Sequence, residues 1–386
     1  MQLSSRILNL KESGTLKILD KVKSLQAKGV DVIQLDVGEP DFDTPRNIVE
    51  AAYRAMRDGL THYTPSAGIP ELRDAIAEKL RSENGLDVRR ENVLITPGSK
   101  QALFYAIMAL VGEGDEVILP TPAWPSYAEM VTVAGGVVRE VPPREGFSPD
   151  VEGIKEAVSN RTKIIIINSP NNPTGCVYTE GELKNIAEVA ADSKTFVVSD
   201  EIYEKILYEG RFRSLGSFPG LEDLVVTVNG FSKTYAMTGW RVGYAAGPKG
   251  IISAMNKLQQ HSASCAASFA QWAALEALKP ETQVQPMVEE FRRRRDFLCR
   301  ALNGTGAFCV DAPGGAFYLF PDISKTGMVS SQLCDFLLER AHVSVTPGEV
   351  FGGFTDNIRI SYANSMERLK EAVSRIRSAL DGRGFA

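Results

Sequence analysis

The chain has 386 residues, of which 44% are hydrophobic and 24% charged, with a formal net charge of −5. That composition supplies two or more buried cores and excludes a disordered chain. The charge, without any long Lys/Arg block, excludes a general binder of nucleic acids or membrane surfaces.

In chain order, residues 1 to 30 carry a mixed helical pattern, followed by Val32, Ile33 and Leu35 and then the turn cluster Gly38-Glu39-Pro40-Asp41. Thr44 reads as the N-cap of a helix with Pro45 in its first turn, Ile48, Ala51, Ala52, Ala55 and Met56 on its inner face, and Gly59 closing it. Pro70 opens another helix, with Leu72, Ile76 and Leu80 inward. From Val93 to Ala246, short apolar runs alternate with amphipathic stretches such as Glu182 to Ala191, where Leu183, Ile186, Ala187 and Ala190 face inward. The runs are Val93–Thr96, Glu116–Leu119, Val137–Val141, Ile164–Ile167, Phe196–Ser199, Leu224–Val228 and Val242–Ala246. Runs this short and rich in Val and Ile predict an α/β fold: a mostly parallel seven-stranded sheet with helices on both faces. Beyond Lys249 the chain turns helical through Leu302, then shows strand-like pieces near Ala316–Phe320, Val343–Val345 and Ile358–Ser361 and a last helix from Ser365 to Leu380. These predict a smaller α+β domain. The expected division is 45–285 for the large domain and 286–386 for the small one, with 1–44 contributing to the small domain.

The basic cluster Arg292–Arg295 reads as the solvated face of a helix whose buried side holds Phe291, Phe297 and Leu298. Cys176, Cys265, Cys299, Cys309 and Cys334 show neither a CxxC nor a histidine at metal spacing, so no metal site is expected and a reducing compartment is. The N-terminus has no apolar signal core and no run is long enough to span a bilayer, which makes the cytoplasm the expected location.

Several residues carry candidate chemistry. Thr96-Pro97-Gly98-Ser99-Lys100 joins a strand to a helix through small residues; it is either an ordinary tight turn or a phosphate cup, in which free N–H groups and the helix dipole hold an anion. Neither GxxxxGK[ST] nor GxGxxG occurs, which weakens nucleotide-binding readings. Asp200, in Ser199-Asp200-Glu201-Ile202-Tyr203, follows an apolar strand; it is a cap or surface charge, or the partner of a heteroaromatic cation. The loop 169–175 is too rich in turn residues for regular structure, and Asn172 either stabilises it or donates to a ligand. Trp124 is a core residue or a ring that stacks on a planar ligand. Arg359 lies among apolar residues in a strand, and its guanidinium fork suits a structural salt bridge or a bound carboxylate. Lys233 stands at the outlet of the Leu224–Val228 run, eight positions before Arg241. Ligands of open α/β sheets collect at the carboxyl ends of strands, where Asp200, Lys233, the Gly98 turn and the 168–175 loop converge.

With GEPDFDTP at 38–45, YTPSAGIPELR at 63–73, SPNNPTG at 169–175, SDEIY at 199–203 and SKTYAMTGWRVG at 232–243, the chain from Thr15 to Leu380 resembles the fold-type I, class I aminotransferases that depend on pyridoxal 5'-phosphate, in particular their bacterial and archaeal aspartate branch. The resemblance implies that Lys233 forms the internal aldimine and carries the proton between the substrate α-carbon and the cofactor, and that Asp200 pairs with the ring nitrogen. Tyr203 and Asn172 would bond the ring hydroxyl, and Trp124 would stack on the ring. The phosphate would be held by Gly98, Ser99, Lys100, Ser232 and Arg241, with Tyr63 arriving from the second subunit of a homodimer with shared active sites. Some relatives carry a serine three positions before the lysine, where this chain has Gly230.

Gly38 and Arg359, with Trp124 and Asn172 nearby, would bind the substrate α-carboxylate, and Lys100 with Thr15 the distal carboxylate of a dicarboxylic substrate. The implied reaction is a ping-pong transfer of the amino group of an L-amino acid, aspartate first, to 2-oxoglutarate. Aromatic amino acids, glutamate and prephenate are alternative substrates, and β-elimination or decarboxylation are alternative reactions on the same cofactor. A regulator that keeps the fold without turnover is disfavoured, because the stretch before Gly38 is too short and not basic enough for a DNA-binding segment.

Overall fold

The computed structural model describes residues 4–8, 10 and 14–382. Its largest sheet has seven strands, in the spatial order Val93–Thr96, Gly243–Ala246, Val225–Gly230, Phe196–Asp200, Thr162–Asn168, Glu116–Pro120 and Val137–Val141. Gly243–Ala246 runs antiparallel to both neighbours, and the remaining pairs are parallel. That one reversal matters for the site. The strand's amino end opens on the edge where the other strands end, so Arg241 emerges beside the Gly98 turn and Lys233.

The sheet is covered on both faces because successive residues of its central strands alternate between two apolar layers. Ile164 and Ile166 pack with Val198, Val226 and the helix Ser99–Leu110, whereas Ile165 and Ile167 pack with Val197 and the helix Glu180–Ser193. A reciprocal cap starts the latter helix: the Glu182 N–H donates to Thr179 Oγ1 at 3.2 Å and the Thr179 N–H donates to Glu182 Oε2 at 2.6 Å. Leu183, Ile186, Ala187 and Ala190 are buried as their spacing predicts.

Further cores lie outside the sheet's centre. Helices Arg46–Arg57, Pro70–Asn84 and Ser268–Ala277 cover Val93, Ile95 and Tyr244. Helices Gln285–Asn303 and Met366–Asp381 enclose Phe291, Phe317 and Tyr362 against a three-stranded antiparallel sheet of Thr346–Pro347, Ile358–Ser361 and Tyr318–Leu319. Ile33–Gln34 pairs in parallel with Val343–Ser344, which ties the early chain to this later unit. Among the described residues no helix is long and apolar enough to cross a membrane.

Three local expectations are corrected. Thr44 does not cap the helix Arg46–Arg57; Pro45 holds the N-cap position, while Thr44 Oγ1 donates to the Ala236 carbonyl at 2.6 Å and accepts from Trp240 Nε1 at 2.9 Å. A tertiary partner has displaced the local one. Met56 is 44% exposed, so the helix buries a narrower stripe of Ile48, Ala51, Ala52 and Ala55. Arg292–Arg295 is not uniformly a solvated face: Arg294 and Arg295 are buried, Arg294 against Asp41 and Glu290 and Arg295 against Asp296 and the Pro313 carbonyl.

Candidate active site

At the carboxyl edge of the sheet lies a cavity of about 530 Å³ whose wall includes Gly38, Ser99, Lys100, Trp124, Asn172, Asp200, Tyr203, Ser232, Lys233, Arg241 and Arg359. Residues separated by more than 300 positions thus meet at one topological switch point.

One part of the cavity wall joins a helix N-terminus to a guanidinium. Gly98, at φ +86°, turns the chain into the helix Ser99–Leu110. A Cβ on Gly98 would fall 2.4 Å from an Arg241 guanidinium nitrogen, and one on Gly243 would fall 2.3 Å from the Ser99 amide nitrogen. Glycine at both positions lets the guanidinium and the helix N-terminus converge. Arg241, itself at φ +56°, donates to the Thr238 carbonyl at 2.9 Å and the Pro97 carbonyl at 3.5 Å. Lys100 stands 4.6 Å from the Trp124 ring centroid, and burial together with the Arg241 charge holds its ammonium below the usual lysine range. At Gly230 a Cβ would lie 3.0 Å from Gly243 Cα, so sheet backbone crowds the place where some relatives carry a serine side chain.

The floor holds an acid. Asp200 is buried, accepts from the Tyr127 hydroxyl at 2.7 Å and from the Ile202 N–H at 3.2 Å, and is pushed up to about 6 by burial against those opposing hydrogen bonds. Asn168 buttresses it, donating through Nδ2 to the Asp200 carbonyl at 3.0 Å and accepting the Asn172 N–H at 2.9 Å. Trp124 meets Tyr127 edge to face at 5.3 Å and is half-buried, packed against the core on one side and lining the cavity on the other. The Tyr203 hydroxyl lies 2.8 Å from the Tyr318 hydroxyl.

Lys233 lines the same cavity as Asp200. Its Nζ donates to the Gly38 carbonyl at 2.6 Å. Burial, aided by the Arg359 and Arg241 charges and opposed by Glu39 and Asp200, lowers its ammonium to about 8. An amine near 8 is partly neutral at physiological pH, which a nucleophile or general base requires.

Arg359 closes the far end. It is 4% exposed, lies 4.7 and 5.2 Å from the Tyr318 and Phe351 ring centroids, and donates to Asn172 Oδ1 at 3.0 Å, the Asp36 carbonyl at 2.6 Å and Thr346 Oγ1 at 3.3 Å. All three acceptors are neutral, and its buried Nε has no partner. Among the described residues no carboxylate pairs with this guanidinium, so the folded chain itself supplies it with no salt bridge. A buried cation left in this state is complementary to an incoming anion.

Two expected residues stand apart. Tyr63 is 90% exposed and absent from its own chain's cavity wall, and the Thr15 side chain lies outside the described residues. Conversely, Tyr127, Tyr318 and Asp36 line the cavity unforeseen, and Asn168, expected there only as the start of the 168–175 loop, lines it as well. Nothing local marks Tyr127, whose partner Asp200 lies 73 positions away.

A family model described as aminotransferase class I and II matches residues 30–376. The chain belongs to this family. It is an aminotransferase. A protein of Aquifex aeolicus described as a "probable aspartate/prephenate aminotransferase" is 49% identical over 98% of this chain and 98% of its own length. The aspartate aminotransferase of Geobacillus stearothermophilus is 44% identical over 99% of this chain and 100% of its own length. The solved aspartate aminotransferase from Thermus thermophilus with maleate shares the fold at a TM-score of 0.95, with 46% identity and coverage of 98% of this chain and 100% of that one. The aminotransferase fold is therefore shared along nearly the whole chain, the seven-stranded, mostly parallel sheet included.

Proposed function

We propose that this aminotransferase transfers the amino group of L-aspartate to 2-oxoglutarate by a ping-pong mechanism on pyridoxal 5'-phosphate, with Lys233 as the covalent attachment. The observation that carries the reading is the juxtaposition of Lys233, Asp200 and an Arg359 whose buried Nε has no partner within one cavity. The residues fit the cofactor. The Ser99 helix N-terminus, Gly98, Lys100, Ser232 and Arg241 would take its phosphate; Asp200 would pair with its ring nitrogen, Tyr203 and Asn172 would reach its ring hydroxyl, and Trp124 would cover one face. When bound, pyridoxal phosphate supplies an electron sink for the bonds at the substrate α-carbon.

The protein's own part is read from the same residues. Arg359 binds the α-carboxylate through its fork, oriented by Asn172 Oδ1 and joined by the Gly38 backbone, and this fixes the α-hydrogen toward Lys233. Lys233 Nζ takes that proton as general base and returns it as general acid. Asp200, pushed up by burial, is held ready for a cationic partner whose arrival favours its ionised form. Lys100, beside Trp124, meets the distal carboxylate. Support for a dicarboxylic substrate also comes from the Thermus thermophilus relative, which is described with maleate. The Aquifex aeolicus relative's description favours prephenate, also a dicarboxylate, as a second acceptor.

We also propose a homodimer in which Tyr63 enters the site of the second copy. Val49, Tyr53, Met56, Leu60 and Tyr63 expose an apolar patch suited to a self-complementary interface. The five free cysteines suit the reducing cytoplasm.

The test is direct. Lys233→Ala should abolish both the visible absorbance of the bound cofactor and the transamination half-reaction; wild-type turnover by that variant would remove Lys233 from its role. A panel of amino donors should place aspartate ahead of phenylalanine and tyrosine. Faster conversion of the aromatic donors would sink the acidic-substrate reading.

A further inference from the structure

The turn that carries Asp200 and Tyr203 into the cavity has a second side. Asp200 and Tyr203 line the cavity wall, whereas Glu201 and Glu204 do not and enter a separate buried cluster. Glu201 Oε1 accepts from Ser214 Oγ at 2.7 Å and Ser199 Oγ at 3.1 Å, and Oε2 receives Asn84 Nδ2 at 3.4 Å. Asn84 Nδ2 also donates to Glu204 Oε2 at 2.7 Å, and Asn84 Oδ1 accepts from Lys79 Nζ at 2.8 Å. Lys79 completes the circuit with an ion pair to Glu204. The backbone adds to it: the Glu201 N–H donates to the Val228 carbonyl and the Glu204 N–H to the Glu201 carbonyl, both at 2.9 Å. The helix Pro70–Asn84 is thereby tied to the turn through charged and polar side chains.

The cluster's charges do not cancel. Glu83, Glu201 and Glu204 face Lys79 and Lys205, with Glu83 paired to Lys205 and 4.0 Å from Lys79; the phenols of Tyr235 and Tyr244 complete the titratable groups around it. A proton on Glu201 balances the set. Burial, with the Glu204 charge beside it, pushes this carboxyl up to about 7. Apolar residues would anchor a turn with less desolvation, so a hydrogen-bonded acid at this place is suited to fixing one geometry.

We propose that Glu201 is a positioning residue for transamination: held by Ser214, Ser199 and Asn84, it fixes the turn that aims Asp200 and Tyr203 into the cavity. The proposal rests on the reading of that cavity as a pyridoxal-phosphate site.

The experiment compares wild type, E201Q, E201L and S214A, each stripped of pyridoxal phosphate and titrated with it, reading the Kd, the pH midpoint of the visible absorbance change and the melting temperature. E201L should weaken the Kd roughly tenfold, as the loss of about one buried hydrogen bond's worth of alignment does. It should also move the absorbance midpoint by about half a pH unit or more. E201Q retains an acceptor and shape and should stay within about twofold of wild type in Kd, and S214A should shift both readouts in the E201L direction by less. A lower melting temperature in E201L with unchanged Kd and midpoint would mean an ordinary structural anchor and overturn the proposal; so would an E201Q as impaired as E201L. If E201L does not fold, S214A decides: unchanged Kd and midpoint reject the proposal, and shifts in both uphold it. A wild type that takes up no pyridoxal phosphate overturns the cofactor reading itself, an outcome distinct from wild-type binding that E201L leaves untouched.

Discussion

Three arginines of the later part of the chain are buried to nearly the same degree, Arg294 and Arg295 on the helix Gln285–Asn303 and Arg359 on the cavity wall, at 5%, 4% and 4% exposure. All three stack on aromatic rings: Arg294 over Phe42 and Phe291, Arg295 over Tyr208, and Arg359 over Tyr318 and Phe351. They differ in counter-charge. Arg294 has Asp41 at 2.6 Å and Glu290 at 3.1 Å, and Arg295 has Asp296 at 2.8 Å, whereas Arg359 has amide, carbonyl and hydroxyl oxygens and a bare Nε. Neither burial nor stacking marks a binding residue. A buried cation without an anion costs stability, which is the ground on which we propose that Arg359 awaits a ligand.

Among these three arginines, the largest effect should come from Arg359→Leu. Removing one partner of a desolvated ion pair lowers kcat/KM by about 10²- to 10³-fold. The melting temperature of the cofactor-free protein should hold or rise, because the substitution also removes an unbalanced buried charge. A melting temperature that fell along with activity would place Arg359 with the structural arginines.

Asp200 is the anionic counterpart, and pH tests it. Its folded carboxyl titrates near 6, above the ordinary 3.8, so the fold favours its protonated form. The resulting stabilisation is present below about pH 4 and lost as pH rises to about 6, an effect of roughly 3 kcal/mol. Denaturant unfolding of the cofactor-free protein should therefore show a fall in stability across that window that is shallower in Asp200→Asn. Glu201, pushed to about 7 by burial, contributes equally to both proteins and cancels in the difference. Parallel curves for the two would deny Asp200 its unbalanced state.

Much of the frame behind this contrast was legible in the sequence, because Val- and Ile-rich runs bounded by turn residues specify buried strands without reference to their neighbours. The convergence of Lys233, Asp200 and the Gly98 turn followed from strand ends alone. What pairs with what did not. Thr44 has every property of an N-cap and is taken instead by Ala236 and Trp240, nearly 200 positions away. Arg294 is polar in a polar run, and only the folded chain brings Asp41 to it. The reversal of Gly243–Ala246, which delivers Arg241, also escapes the pattern, since an apolar run has no direction. Tyr127 was missed because its partner Asp200 lies 73 positions away, and the 168–175 loop was placed at the site without the bond by which Asn168 holds the Asp200 carbonyl, 32 positions on.

The smallest effect should come from Arg294→Leu, and its kind matters more than its size. The substitution strands Asp41 and Glu290, which are 26% and 23% exposed and so recover part of their hydration. The loss of stability should be about 1–3 kcal/mol, below that of a fully buried pair. Since Arg294 already has its anions, nothing in it awaits ligand, and kcat/KM should stay within about twofold. Yet Asp41 sits three residues from Gly38, whose carbonyl holds Lys233. If Arg294→Leu lowered kcat/KM as far as Arg359→Leu, the balanced pair would itself be holding the Gly38 loop in register, and counter-charge would no longer separate the two kinds of buried arginine.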